Sequence, residues 1–323
     1  MVVFSVDVIK AVWNLTRCGD LLDQRYKAAL WRVCNMQPLD RYQQPFEVAK
    51  PSGGYRRIRP AKPNLALVQS VLADWMLRHL PLGNDYCYIG HRGVLTAVKK
   101  HLGSKSGAVY DLERAFEYVY APTILSWLHY YQPQADLHVL ECIADLLTFE
   151  GVAPQGCVST PYAFNLLIRP FDQAIQLYCK TRSLVVTRYS DNICISSSGE
   201  FDFEEVDNHM SLTVDGCGFQ LNHKKTKNFS TPPIEYLGTR IYPDKLSLDA
   251  RKIEEILERF EEILYSSTPE FYRKMVNGLW VWTKHICGDD IPKELYQVFS
   301  DYYTVVGKPP RSFVRWLTPK LFK

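Results

Sequence analysis

No CxxC pair occurs among the nine cysteines, and none of the eight histidines stands at zinc-ligand spacing from them. Structural zinc modules are therefore not expected. The odd number of cysteines argues against a disulfide framework and for reduced thiols in a cytoplasmic protein. No apolar run reaches the roughly 20 residues needed to cross a bilayer, so no membrane partner is expected. The opening MVVFSVDVIKAVW carries an early acid and lacks a small-residue cleavage pattern, which speaks against a secretory signal. Internal repeats and low-complexity linkers are also missing. What remains is 323 residues, enough for one large core or two to three modest domains.

Charge of one sign is locally scarce. The net charge of +3 says little, but three stretches hold cations and no acid. KPSGGYRRIRPAK (50–62) has five basic residues, HKKTK (223–227) has three lysines, and GKPPRSFVRWLTPKLFK (307–323) has five more basic residues. Such clusters suit phosphate groups, and each alone also suits an ordinary solvated surface.

Residues 5–45 read as largely helical, with Val8, Val12 and Leu15, then Tyr26, Leu30 and Val33, at helical spacing. A β-hairpin is predicted around Ser52-Gly53-Gly54, followed by an amphipathic helix over 64–79. AVYDL (108–112) reads as a buried strand. A long helical region from about 121 to 149 is broken near Pro133, and GVAPQG (151–156) is a loop. One helix is predicted from Thr160, with Phe164, Leu167, Ile168, Phe171 and Ile175 on a single face. LVVTRY and ICISS then form a hairpin with Asp191-Asn192 near its tip. A helix over 203–214 leads through FQLNHKKTKNF into a strand. IEYLGTRIY and LSL read as a second hairpin around Pro243-Asp244-Lys245. The last third is helical, with a stripe from Ile253 to Leu264 and a further helix capped at Thr268. The central order of strand, helices, two strands, helix, strand is that of a split β-α-β sheet of ferredoxin-like type.

In such a sheet Asp111 and Asp191 lie side by side. Hard cations such as Mg²⁺ take oxygen ligands, and two carboxylates on adjacent strands suit them. A strand-end aspartate and a turn aspartate are also common plain structural features. Trp280, Trp282 and Trp316 suit base stacking, with core packing the stronger expectation.

Six segments in a fixed order decide between these readings. They are GGYRRIRPAKPNLALVQ (53–69), YDLERAF (110–116), APQGCVSTPYAFNLL (153–167), RYSDN (188–192), LNHKKTKNF (221–229) and EYLGTRI (235–241). Together they resemble the motifs of prokaryotic reverse transcriptases of the retron, group II intron and phage-defence types, over about residues 45–245. The resemblance implies an α+β right-hand polymerase: fingers with N-terminal helices over 1–107, a ferredoxin-like palm over 108–245 with fingers helices inserted near 121–150, and a helical thumb with a basic tail over 246–323. It implies an RNA-directed DNA polymerase that copies a bound non-coding RNA into DNA by two-metal-ion nucleotidyl transfer, in antiphage defence. Two Mg²⁺ ions, with Mn²⁺ as a substitute, would be held by Asp111, Asp191 and the Leu112 carbonyl. Asn192 and Lys225 would complete the catalytic set, Lys225 by protonating or neutralising pyrophosphate. Arg56 and Arg57, with Arg59 as a neighbour in a loose register, would clamp the triphosphate. Phe116 would exclude a 2′-hydroxyl, and Gln155 and Gly156 would meet the nucleotide. Tyr189, Tyr236, Leu237 and Gly238 would meet primer or template. Partners implied are the RNA template, the DNA product, dNTPs, and an accessory protein, a second polymerase protein or a second copy of the chain.

Asn192 departs from the pattern, since the family usually has a second aspartate there. Asn keeps the shape and an acceptor oxygen but loses a charge. Three readings stay open: a tolerated natural residue, a disabling engineered change, or a degenerate enzyme kept as an RNA-binding scaffold. A template-independent or protein-primed DNA polymerase of abortive-infection type is the enzymatic alternative. LTAVKKHLG (95–103) keeps His101 but lacks the retron asparagine, and Tyr236-Leu237-Gly238 replaces the retron Val-Thr-Gly. Both departures favour the defence-associated branch over the retron branch.

Overall fold

The computed structural model describes residues 4–17, 20–50, 53–80, 87, 92–266 and 268–307. Ser52, Trp316 and the basic tail from residue 308 onward lie outside the described residues. The N-terminal region forms α1 (Val6–Thr16) and α2 (Asp20–Cys34), then a two-stranded hairpin of β1 (Phe46–Ala49) and β2 (Tyr55–Ile58), then α3 (Pro63–His79) and α4 (Val94–Lys99). The middle of the chain carries β3 (Ser106–Asp111), α5 (Ala121–Tyr131), α6 (Leu137–Leu147), α7 (Thr160–Leu167) and α8 (Arg169–Thr181). It continues through β4 (Val185–Tyr189), β5 (Asn192–Ser197), α9 (Phe203–Gly216) and β6 (Lys227–Phe229). A second sheet of β7 (Ile234–Tyr236), β8 (Thr239–Ile241) and β9 (Leu246–Leu248) precedes α10 (Ala250–Leu264), α11 (Arg273–Cys287) and α12 (Lys293–Val306).

The central sheet has the strand order β4-β5-β3-β6, all antiparallel. The first strand in sequence therefore lies inside, between the third and the fourth, which is the ferredoxin-like arrangement expected from the element order. Side chains alternate across it. Ala108, Tyr110, Ile193 and Ile195 face one core with Ile175, Val206 and Met210 of the helices. Val109 and Cys194 face a second core, shared with the β7–β9 sheet and the C-terminal helices. Trp280 is wholly buried in that second core, as the packing expectation had it, and Trp282 is half-buried against it.

Two local expectations are corrected. The helix read from Thr160 is two helices, broken at Ile168. Pro170 lies in the first turn of α8; it has no N–H to continue the ladder, and its ring crowds the preceding turn. Phe164, Leu167, Ile168, Phe171 and Ile175 are nonetheless all buried. IEYLGTRIY is likewise two strands, not one. Leu237 and Gly238 both have positive φ, 52° and 74°, the requirement for a tight two-residue hairpin turn.

His101 pins the second face of the sheet. It is fully buried, with Nδ1 2.6 Å from Ser196 Oγ and Nε2 2.8 Å from Thr187 Oγ1, so it ties β4 to β5. Burial pushes its pKa down to about 3. A histidine held below its unfolded value of about 6.5 contributes stability above that pH, and the contribution fades as pH falls from there towards 3. Wild-type protein should lose up to about 1.4 kcal/mol per pH unit from this group across that window. In urea titrations at pH 7 and pH 5, His101→Gln should be less stable at pH 7 but show the smaller loss on acidification. An equal loss in both proteins would contradict the assignment.

Candidate active site

Strand pairing brings the acids together. Asp111, the last residue of β3, sits directly opposite Asn192 at the start of β5, so their side chains share a face. Asp191 occupies the turn beside them, and its carbonyl accepts the Leu112 N–H at 2.9 Å. Lys225 Nζ donates to both Asp111 oxygens, at 2.9 and 3.0 Å, and Asn222 Nδ2 donates to Oδ1 at 3.3 Å. The Asn192 amide donates to Asp191 Oδ1 at 3.2 Å. The carboxyl of Asp191 is raised above the ordinary carboxylate range, chiefly by burial and next by the charge of Asp111. A buried acid beside a second acid is stabilised by any nearby cation. Lys225 is half-exposed and supplies that charge only weakly.

This donor set fits a hard divalent cation. Among the described residues no cluster of three or more His, Cys, Asp or Glu side chains is placed to hold a metal. Asp111 and Asp191 are a pair, which suits Mg²⁺ completing its shell with backbone carbonyls, water and substrate phosphates.

The turn carrying Asp191 is fixed from behind by a residue that the sequence reading did not single out. Arg188 of β4 is buried and grips Asp172 of α8, Nε to Oδ1 at 2.7 Å and Nη2 to Oδ2 at 2.8 Å. Both Nη atoms also reach Asn165 Oδ1 at 3.1 Å, and Nη1 reaches the Ser190 carbonyl at 2.9 Å. Asn165 thus supports the turn through Arg188. A charged residue within the apolar face of α8 and a second within a β-prone run were the available signals for this pair.

A cleft of about 410 Å³ is lined by Arg56, Arg57, Arg59, Gln155 and, three and five residues beyond Asp111, by Arg114 and Phe116, among others. Arg56 and Arg57 are exposed on β2. Arg59 is committed elsewhere: its guanidinium stacks 3.9 Å from the Phe149 ring centre, and its N–H donates to the Gln155 carbonyl at 2.8 Å. Phe116 packs on Phe164, ring centres 5.2 Å apart, as a wall of the cleft. Gln155 Oε1 is buried with no hydrogen-bond partner, an acceptor that a bound hydroxyl would satisfy. Gly156 has φ of +98°, and a Cβ there would meet Ile58 Cγ2 at 2.6 Å. Its need for glycine comes from the docked β1–β2 hairpin.

Of the residues expected at primer or template, Tyr236 is corrected. Its ring is buried, and its hydroxyl donates towards the carbonyls of Asn192 and Thr187 at 3.3 and 3.5 Å, so it braces the hairpin from below. Tyr189 is half-buried against the second core, and Leu237 and Gly238 form the neighbouring turn.

A sequence profile described as Reverse transcriptase (RNA-dependent DNA polymerase) matches residues 48–241, more than half of the chain. The chain belongs to the reverse transcriptase family. Similar curated proteins include the Retron Ec48 reverse transcriptase of Escherichia coli, 24% identical over 238 residues that cover 68% of this chain and 57% of that protein. The Retron Ec86 reverse transcriptase of the same organism is 26% identical, covering 62% and 63%, and the Retron Mx65 reverse transcriptase of Myxococcus xanthus is 25% identical, covering 56% and 47%. This chain thus spans less than two thirds of the length of each. Telomerase from Candida albicans, solved with a TWJ fragment of telomeric RNA, shares the fold at a TM-score of 0.53 and 9% identity, over 92% of this chain and 60% of that one. Apo telomerase from Candida tropicalis aligns at a TM-score of 0.52 and 10% identity, over 88% and 62%.

The fold of this reverse transcriptase family member is thus the expected right-hand polymerase. The two departures from retron motifs do not set it apart from retron enzymes, which stand among its relatives. His101 keeps its place as a buried sheet pin without the family's asparagine. Among the described residues no helix is long and apolar enough to cross a membrane.

Gly156→Ala should cost about 1–3 kcal/mol, through the left-handed backbone and the clash with Ile58. Urea unfolding measures the loss, and limited proteolysis should find the β1–β2 hairpin cut faster. Unchanged stability and cleavage would contradict the docked arrangement.

Proposed function

We propose that this chain is an RNA-directed DNA polymerase that copies a bound non-coding RNA into DNA by two-metal nucleotidyl transfer. The observation that carries this reading is the placement of Asp111 and Asp191 on adjoining ends of β3 and the β4–β5 hairpin, with a cleft walled by arginines and by Phe116, five residues beyond Asp111. The chain divides into fingers (1–107), palm (108–245) and thumb (246–323). Asp111, Asp191 and the Leu112 carbonyl would hold the metal ions, Mg²⁺ or Mn²⁺, which would supply activation of the 3′-hydroxyl and charge stabilisation of the leaving pyrophosphate. Arg56 and Arg57 fork the triphosphate, and Arg59 is held against Phe149. Phe116, backed by Phe164, fills the space of a 2′-hydroxyl and selects dNTPs. Gln155 presents its unpaired oxygen to the sugar hydroxyl. Lys225 rests on Asp111 when no metal is bound and neutralises pyrophosphate when substrate is in place.

Asn192 is a tolerated residue in this reading, because Asp111 and Asp191 suffice as the carboxylate pair and the amide hydrogen-bonds Asp191. The likeness to retron reverse transcriptases supports the polymerase activity; the same reading makes the chain a cytoplasmic enzyme of antiphage defence bound to a non-coding RNA, acting with an accessory protein, a second polymerase protein or a second copy of itself.

Incorporation of labelled dNTPs with Mg²⁺ tests the reading. Wild-type protein bound to its own RNA should incorporate, RNase should abolish the signal, and Asp111→Ala should reduce it about a thousandfold or more. Activity appearing only in Asn192→Asp would mark the asparagine as disabling. Silence in both would favour an RNA-binding scaffold, and incorporation that survives RNase an untemplated or protein-primed enzyme. The double use of Lys225 predicts a split result for Lys225→Met. Mn²⁺ binding without nucleotide, followed by electron paramagnetic resonance, should tighten by up to about fivefold, and incorporation should slow. Weaker Mn²⁺ binding would contradict the resting role.

A further inference from the structure

The buried arginine behind the hairpin tip is fully spent. A guanidinium carries five N–H donors, and the five contacts of Arg188 to Asp172, Asn165 and the Ser190 carbonyl use one each. A lysine ammonium has three donors and no planar fork, so it cannot reproduce this set. The contact with Ser190 falls where the backbone needs holding. Ser190 has φ of +59°, a conformation that a serine adopts at a cost, and it immediately precedes Asp191.

The other end of the network leads to the nucleotide cleft. Asn165 lies in α7, next to Phe164, and the Arg188 guanidinium lies 5.6 Å from the Phe164 ring centre. Phe164 in turn backs Phe116. Asn165 Nδ2 is buried with no hydrogen-bond partner, so the amide gives up one side to keep its oxygen on Arg188.

Resting on the polymerase reading above, we propose that Arg188 is a positioning residue that ties the metal-bearing hairpin tip to the wall of the nucleotide cleft. It holds Ser190 in its left-handed turn, so that Asp191 stays beside Asp111, and it fixes Phe164 beneath Phe116. Metal affinity and sugar selection then depend on a side chain that touches neither ligand.

The test uses the full chain as wild type, Arg188→Lys, Asn165→Leu and Asn165→Asp. Mn²⁺ binding is read by electron paramagnetic resonance, sugar preference by competing dNTP against rNTP, and folding by thermal midpoint. Folded Arg188→Lys and Asn165→Leu should each bind Mn²⁺ more weakly by more than about threefold and lose sugar preference by a similar factor. Asn165→Asp, which keeps an oxygen facing the guanidinium, should stay closer to wild type on both. Should Arg188→Lys not fold, Asn165→Leu decides. A folded Asn165→Leu with Mn²⁺ affinity and sugar preference within about threefold of wild type overturns the proposal, whatever its thermal midpoint. Failure of both to fold also overturns it, since a structural role then accounts for the network. Wild-type protein that binds no Mn²⁺ and incorporates nothing would sink the polymerase reading itself. An active wild type with unaltered variants would sink only the role of Arg188.

Discussion

Two carboxylates held next to each other out of bulk water set the terms for this molecule. Like charges at close range repel, and burial raises the cost of each. Asp191 shows both effects in its upward-shifted carboxyl. A fold left to itself would separate such groups or protonate one. Here β-sheet register forbids separation, because Asp111 is paired in β3 and Asp191 sits in the turn that joins β4 to β5. The remaining way to lower the energy is to bring in positive charge. Lys225 does so partially from its half-exposed position, and divalent cations with substrate phosphates would do so fully.

Much of the surrounding structure serves that constraint. Arg188 holds the turn from behind, Tyr236 braces it from beneath, and His101 ties β4 to β5 on the second face. Each is a polar group buried with its partners, an arrangement that packs less cheaply than hydrocarbon and specifies geometry. Removing one member of the Arg188–Asp172 pair would strand the other, at about 3–5 kcal/mol. The cleft is built by the same economy. Gly156 lets the β1–β2 hairpin approach the loop that carries Gln155, which presents Arg56 and Arg57 to the space in front of Phe116.

The motif-bearing parts were legible because their chemistry is local. Asp111 at a strand end, Asp191 at a hairpin tip and the glycine-containing loop at 151–156 each follow from residue type and spacing. The ferredoxin-like strand order followed from element order alone. What stayed hidden depended on distant partners. Arg188 reads as an ordinary cation in TRYSDN, and only folding shows that Asp172, sixteen residues earlier, meets it. Tyr236 read as a contact for nucleic acid because its turn is a family feature, while the sheet buries its ring. The break at Ile168 was signalled by Pro170, but the continuous apolar face outweighed it. Leu237 at positive φ could not be foreseen from leucine's own preference.

Whether this site copies RNA shows in the sequence of its product. The most direct measurement gives the purified chain an RNA of defined sequence with an annealed DNA primer, all four dNTPs and Mg²⁺, and sequences the extended strand. An RNA-directed polymerase yields DNA complementary to the RNA, base for base, that changes when the template is changed. Extension into a homopolymer or a sequence indifferent to the template would contradict it.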